Sequence, residues 1–275
     1  MAAALVFVFI LAESLILHLL IVSSIQQRAA QRNAFEDFRA QLAEGTAPVG
    51  PTGSDGKELR PGSPVAYLEI PSIGVKQVVV EGTTAGNLFV GPGHRRDTPL
   101  PGQPGVSVVL GRRAAFGGPF ARVHRLRAGD LIRATTGQGS FEYRVTAVRR
   151  EGDPVPSPLE SGAGRLLLAT ASGRPYLPTG VLRVDAELSV PTVPGPSRLV
   201  DSSGLPAAEQ MMATDTRMIW ALALWLQGLI VALLGATWAW HRLGRARAWV
   251  AFLPLLLLVG LSTAGQAARL LPNLL

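Results

Sequence analysis

Residues 65–80 read Val65-Ala-Tyr-Leu-Glu-Ile70, Pro71-Ser-Ile-Gly74 and Val75-Lys-Gln-Val-Val-Val80, which are two strand-like segments around a turn. Segments of the same kind recur along the chain and are separated by turn residues. The further strand candidates are residues 106–110, 131–135, 141–148, 165–170 and 181–188. These seven short strands with few helices between them predict an all-β barrel or sandwich, and the pattern alone does not choose between the two.

The composition indicates membrane segments on either side of this β domain. Of the 275 residues, 48% are hydrophobic and only 16% are charged, and the mean hydropathy is +0.28. A soluble domain is seldom so apolar. Residues 1–25, 218–240 and 249–271 are each long and apolar enough to span a bilayer. The first segment lacks a basic start, so we favour an uncleaved anchor over a cleaved signal peptide.

Arginines set the expected orientation of these spans. Arg242, Arg245 and Arg247 lie in the short stretch 241–248, and basic loops of this kind remain in the cytoplasm. The β domain is therefore expected on the extracellular side of a multi-pass protein of the cell membrane. Glu13 is costly within a bilayer, so we expect it to face another helix or to be protonated.

Polar and proline-rich stretches set the boundaries of the extracellular part. Residues 26–61 are predicted to form a juxtamembrane helix and a linker, because Phe35, Phe38 and Leu42 have helical spacing before a stretch rich in Gly, Pro and Ser. The folded domain is predicted at residues 62–190. Residues 191–217 contain four prolines, which are typical of an extended linker.

Several kinds of chemistry are excluded or not expected. The chain contains no Cys, which excludes disulfides, iron–sulfur clusters and any cysteine nucleophile in these residues. The formal net charge is +7, but no run of Lys and Arg is interleaved with aromatic residues, so nucleic-acid binding is not expected. The acidic residues do not form a compact loop of oxygen ligands, so we expect no metal and no cofactor.

Nine motifs in the same order resemble the sortase family, most of all the class E type of high-GC Gram-positive bacteria, which include the actinobacteria. The resemblance covers about residues 62–190. The motifs are Ala66-Tyr-Leu-Glu-Ile-Pro-Ser-Ile-Gly74, Glu81-Gly-Thr-Thr84, Gly91-Pro-Gly-His94, Pro99-Leu-Pro-Gly102, Val108-Val-Leu-Gly-Arg-Arg113, Phe116-Gly-Gly-Pro-Phe120, Leu126-Arg-Ala-Gly-Asp130, Leu166-Leu-Leu-Ala-Thr170 and Arg183-Val-Asp-Ala-Glu-Leu188. The resemblance implies an eight-stranded β-barrel with short helices, held outside the membrane by anchor helices.

The resemblance also implies three catalytic positions, and each of them is altered here. Members of the family use a Cys thiolate, a His and an Arg for transpeptidation. The position of the His is occupied by Arg112 and that of the Cys by Ala171. The position of the Arg falls at Thr179 or Gly180, neither of which is charged. The family's chemistry is therefore expected to be lost.

Eight residues are candidates for binding in the old substrate groove. Ser172 is the one hydroxyl that follows the altered Cys position directly, but an alcohol needs a base, and neither His94 nor His124 occupies the family's base position. The candidate groove residues are His94, Arg112, Arg113, Thr170, Ser172, Arg174, Tyr176 and Arg183.

Three functions remain open at this stage. The first is a membrane-anchored, non-catalytic sortase-like protein that binds an extracellular protein or peptide, such as a cell-surface or pilus-type protein. The second is a structural subunit of a larger membrane or cell-surface assembly. The third is an active transpeptidase with noncanonical residues. The sequence does not indicate the oligomeric state.

Overall fold

A computed structural model describes residues 9, 12–53, 56–195, 205–214 and 219–275. The chain forms two compact units. One comprises Met1–Ile25 and Asp215–Leu271, and the other comprises Gln26–Thr214 and Pro272–Leu275. The second unit contains every strand described below, and each unit is treated by itself.

The larger unit is built around a closed barrel of eight strands. The strands follow the order β1-β2-β3-β4-β7-β8-β6-β5, and the pairing of β1 with β5 closes the sheet. The predicted all-β barrel is thus confirmed, and the sandwich alternative is wrong. The strands are β1 Pro64–Ile70, β2 Val75–Glu81, β3 Gly93–His94, β4 Gly105–Leu110, β5 Leu131–Thr136, β6 Gly139–Arg149, β7 Gly164–Arg174 and β8 Leu177–Leu188.

Alternation along the strands fills the barrel with apolar side chains. In β7 and β8, Leu166, Leu168, Leu182 and Val184 point inward and belong to one buried core. The intervening residues of the same strands therefore point outward. The two-residue strand β3 was not predicted, because it is too short to show alternation.

The hairpin between β7 and β8 is longer than its sequence indicates. Residues 177–180 resemble a turn, but they form the start of β8, and Leu177 pairs with Arg174. A bulge between Ser172 and Gly173 accommodates this extension, and Gly173 has a φ of +95°, a conformation that suits glycine. The actual turn therefore lies at Pro175 and Tyr176.

A long helix, α1 (Ser23–Glu44), docks on the barrel through amide side chains. The Gln31 side-chain amide accepts a hydrogen bond from Val78 N–H at 2.8 Å and donates to Val78 O and Val90 O at 3.0 Å each. Gln27 donates to Gln77 Oε1 at 2.9 Å. Val78 pairs with Tyr67 of β1 on one side, and pairing of β2 with β3 begins only at Val80, so Gln31 satisfies the amide and carbonyl that β3 does not reach. A one-turn helix, α2 (Asn87–Val90), follows β2.

The smaller unit contains two long apolar helices, α3 (Ile219–Leu243) and α4 (Arg245–Arg269). Both are long and apolar enough to cross a membrane, and they pack together through small clusters such as Leu229 with Val259. The expected loop at 241–248 is instead almost wholly helical, with Gly244 as the break. Arg and Ala favour helix, and Gly interrupts it.

The N-terminal segment is described in part. Residues 1–8, 10 and 11 of the predicted span lie outside the described residues, and a π-helix, His18–Val22, leads into α1. The Glu13 side chain is exposed in this structure. His18 is buried instead, and a Cβ added at Gly265 would lie 3.1 Å from its ring.

We expect the Gln31→Ala variant to weaken the docking of α1 by about 1–3 kcal/mol, because Val78 N–H would be left buried without a partner. The measurement is the thermal midpoint of the full chain in detergent, together with hydrogen exchange at the Val78 amide. Gln26→Ala is the matched control, since Gln26 is exposed on the same helix. Equal exchange at Val78 in both variants would contradict this account of docking.

Candidate functional site

The site is built where β4 and β7 run side by side. These strands are parallel, and Leu110 at the end of β4 pairs with Ala169 of β7. The pairing continues one residue further, where Gly111 N–H donates to Ala169 O at 2.9 Å. Two positions later along β7 lies Ala171, so the parallel register places residues 112 and 113 beside it.

A glycine is required at the end of β4. A Cβ added at Gly111 would collide with the ring of Phe120, so only glycine fits between this ring and the strand. The chain can therefore turn tightly away from the sheet. Arg113 comes back over β7, and its Nη1 donates to Ala171 O at 3.0 Å.

Arg112, at the position that the resemblance assigns to the family's His, is completely buried. Its Nη2 donates to Ala85 O at 3.4 Å, and its guanidinium carbon lies 4.8 Å from the ring centre of Phe116. Nε and Nη1 have no hydrogen-bond partner within the described part of the chain. Burial lowers the pKa of Arg112 to about 10, so the side chain remains a cation at neutral pH.

Hydroxyl groups lie close to Ala171 in the described part of the chain. Ala171 is 0% exposed and pairs with Val181 across the hairpin. The hydroxyls of Ser172 and Thr179 lie 3.3 Å apart, and the Thr170 hydroxyl is buried without a partner among the described residues. No contact places either domain histidine on Ser172.

The other candidates at this end of the hairpin are dispersed. Arg174 is exposed, and Tyr176 is half-buried in the turn with a φ of +61°. Arg183 lies on β8 opposite Ala169. The sequence analysis did not single out Glu151. Its carboxylate lies beside Gly180, as shown by the distance of 2.8 Å between Glu151 Oε2 and a Cβ added at Gly180.

His94 lies in a buried ion pair outside this group. Its Nδ1 is 2.8 Å from Glu81 Oε2, and its Nε2 is 3.0 Å from Pro99 O. Both ring nitrogens face oxygen acceptors, an arrangement that favours the doubly protonated ring. Burial by itself would lower the pKa of His94, but the Glu81 carboxylate and the Pro99 carbonyl together raise it above its usual value. His94 thus fastens β3 to β2.

Two further segments pack near the site: part of the predicted linker, and the residues that follow the last predicted span. Arg113 N–H donates to Leu274 O at 3.0 Å, and Ala115 N–H donates to Leu275 O at 3.1 Å. Part of the predicted 191–217 linker also docks on the domain, since the Thr83 hydroxyl donates to Glu209 O at 2.6 Å. No periodicity marks these short pieces, so the sequence pattern offered no signal for them.

The residues that the structure describes contain no group of three or more His, Asp or Glu side chains that could hold a metal ion. A small pocket of about 10 Å³ lies beside His94 and is lined by Glu81, Arg96 and Gln103 among others. A cavity of this volume holds about one water molecule.

Comparison with known proteins gives one family. Residues 68–172 match the family described as Sortase domain. The chain is 34% identical over 88 residues to Sortase D of Bacillus subtilis, and this match covers 32% of the chain and 43% of that relative's length.

Solved structures of the same family resemble the chain as well. Sortase E from Streptomyces avermitilis is 30% identical, with a TM-score of 0.42 over 55% of this chain and 100% of that one. A Clostridium perfringens Sortase D5 transpeptidase is 22% identical, with a TM-score of 0.47 over 58% of this chain and 98% of that one.

We expect the stabilising effect of His94 to decrease as the pH rises. Because the folded pKa is raised, the contribution is complete below the unfolded value of about 6.5 and is lost as the pH rises through the folded value. The difference in thermal midpoint between the wild type and His94→Gln should therefore be larger at pH 6 than at pH 9. His124→Gln, at an exposed histidine, should show no such trend. A His94→Gln difference that grows with pH would refute the assignment of an imidazolium.

Proposed function

Because the barrel of this chain is a sortase domain without a cysteine, we propose that the protein is a non-catalytic, membrane-anchored member of the family that binds an extracellular protein or peptide. The observation that carries the proposal is the pair of replacements at the β4–β7 junction. Ala171 carries a methyl group where the family's nucleophile is expected, and Arg112 is a buried cation where its base is expected.

The properties of Arg112 argue against proton transfer. A general acid or base works best when its pKa lies near the working pH. Burial leaves the pKa of Arg112 at about 10, so the group holds its proton throughout the neutral range. The aromatic ring of Phe116 further stabilises the cation. Arg112 therefore serves as a fixed charge and a packing element.

Replacement of the thiolate by a neighbouring hydroxyl is not supported either. A serine nucleophile requires an adjacent base to remove its proton. The described partner of the Ser172 hydroxyl is the Thr179 hydroxyl, which is a weak base. The imidazole of His94 is engaged with Glu81 and Pro99. The preserved barrel without the catalytic groups favours binding over cleavage.

The proposed placement outside the cell follows from charge and from the two apolar helices. Helices α3 and α4 form a hairpin long enough to cross a membrane twice, with Arg242, Arg245 and Arg247 at its bend. Basic residues at such a bend are retained in the cytoplasm. The barrel, which precedes α3, would then lie at the opposite surface, where cell-surface or pilus-type proteins are available as partners.

We expect the full chain in detergent to give no product with sorting-signal peptides and an amine acceptor. The Ala171→Cys/Arg112→His double variant should also remain inactive, because the family's Arg position is still Thr179 or Gly180. Mass spectrometry for an acyl-enzyme, with thiol labelling to show that the new Cys is accessible, makes the measurement. Turnover by the wild type that is lost in the Ser172→Ala variant would refute the proposal that the protein is non-catalytic.

The absence of cysteine allows a direct test of sidedness. A single Cys introduced at exposed Asp153 should react with a membrane-impermeant maleimide on intact cells. A single Cys introduced at exposed Arg247 should react only after permeabilisation, since this bend is proposed to be cytoplasmic. The unchanged chain, with no Cys, is the matched blank. The reverse labelling pattern would overturn the proposed orientation.

A further inference from the structure

The outer face of the barrel at the β4–β7 junction is covered. Val109 of β4 and Leu168 of β7 belong to the interior core, so their neighbours Leu110, Ala169 and Ala171 point outward. These three outward side chains are nevertheless 0% exposed. Something outside the barrel must therefore lie on this face.

The residues Pro272–Leu275, which we call the covering segment, lie beside this junction, on the stretch that follows β4. The backbone carbonyls of Leu274 and Leu275 accept hydrogen bonds from the amides of Arg113 and Ala115, at 3.0 and 3.1 Å. The two leucines are 0% and 5% exposed, so they are packed as core residues are. The covering segment is a tight turn, closed by a hydrogen bond from Leu275 N–H to Pro272 O at 3.0 Å, and it binds the stretch after β4 through backbone hydrogen bonds and apolar side chains.

A polar clamp holds the covering segment. Asn273 N–H donates to Ala213 O at 3.0 Å, and its side-chain amide donates to Ala208 O at 2.7 Å and to Gln210 O at 2.8 Å. The piece of chain that supplies these carbonyls is itself attached to the barrel, since Thr83 donates to the backbone of Glu209. One side chain, Asn273, therefore links the covering segment to a second docked segment.

With the covering segment bound, several buried polar atoms lack a hydrogen-bond partner among the described residues. They include Arg112 Nε and Nη1 and Asn273 Oδ1. Burial of unpaired polar atoms opposes closure, because water would satisfy them if the segment moved away. The apolar contacts of the two leucines favour closure, so the two effects oppose each other.

We propose that the covering segment is an internal ligand of the degenerate site and must leave before another peptide can bind there. The inference deepens the proposed function, because it describes how access to that same binding site is controlled. The competing ligand is a peptide that offers backbone carbonyls to the amides of Arg113 and Ala115 and apolar side chains to the surface around Ala171.

The test uses the full chain in detergent and a synthetic peptide with the sequence of residues 270–275. In the wild type, we expect slow hydrogen exchange at the Arg113 and Ala115 amides and no measurable peptide binding. In a variant lacking residues 272–275, exchange at these amides should rise at least tenfold, and the added peptide should bind and restore protection. Exchange in β1 and β5 should be unchanged, which shows that the barrel remains folded.

A point variant guards against a folding defect in the truncated chain. Asn273→Ala removes the side-chain clamp and keeps both leucines, so it should raise exchange at the two amides by a smaller factor and allow the peptide to compete. A peptide with Asp in place of both leucines is the matched control and should not bind. Unchanged exchange in both variants, or a truncated chain that does not bind the peptide, would overturn the proposal.

The outcome is separable from that of the proposed function. Exchange and peptide binding report on the covering segment and do not depend on catalysis. Turnover by the native chain would refute the proposed lack of catalysis, but it would not affect the inference about the covering segment. Fast hydrogen exchange at the Arg113 and Ala115 amides in the wild type would refute this inference, but it would not affect the non-catalytic assignment.

Discussion

The parallel pairing of β4 with β7 is the contact on which the site depends. It aligns Leu110 with Ala169 and extends through the Gly111 amide, so the residues that follow β4 are brought beside the end of β7. Parallel strands cannot be joined by a tight turn, so the chain between them must travel elsewhere. Here it builds β5 and β6, which close the other side of the barrel. The connection between the two strands that build the site therefore also supplies the strands that close the barrel.

The same junction accommodates a buried guanidinium close to the methyl group of Ala171. A guanidinium can occupy such a space only if its charge is tolerated. Phe116 and the Ala85 carbonyl stabilise Arg112 in part, and burial lowers its pKa to about 10 without removing the charge at neutral pH. The remaining free-energy cost of burying this charge lowers the stability of the barrel.

Amide side chains as well as apolar side chains attach the additional segments to the barrel. Gln31 satisfies a strand edge from α1, and Asn273 joins two otherwise separate pieces. Both are amides, which can donate and accept at once and can therefore take the place of a missing strand. Such contacts are specific in direction, so they position each segment as well as hold it.

Features that have a local sequence pattern could be predicted, whereas features that depend on contacts between distant segments could not. The strands around residues 65–80 and 165–170 show local alternation and were identified, whereas β3 has two residues and no pattern. The barrel and the replacements at Arg112 and Ala171 followed from ordered motifs. His94 was placed in the groove group by its motif alone, and its ion pair with Glu81 depends on how β2 and β3 pair.

The amino-acid sequence by itself determined that this chain has no thiolate, that its middle is a β domain and that its ends are apolar, because composition and short periodicities are local properties. Only the tertiary structure decided that Arg112 is buried and that Leu274 and Leu275 accept hydrogen bonds from the amides of Arg113 and Ala115. Burial and backbone pairing between distant segments depend on which surfaces meet, and no local pattern encodes that meeting.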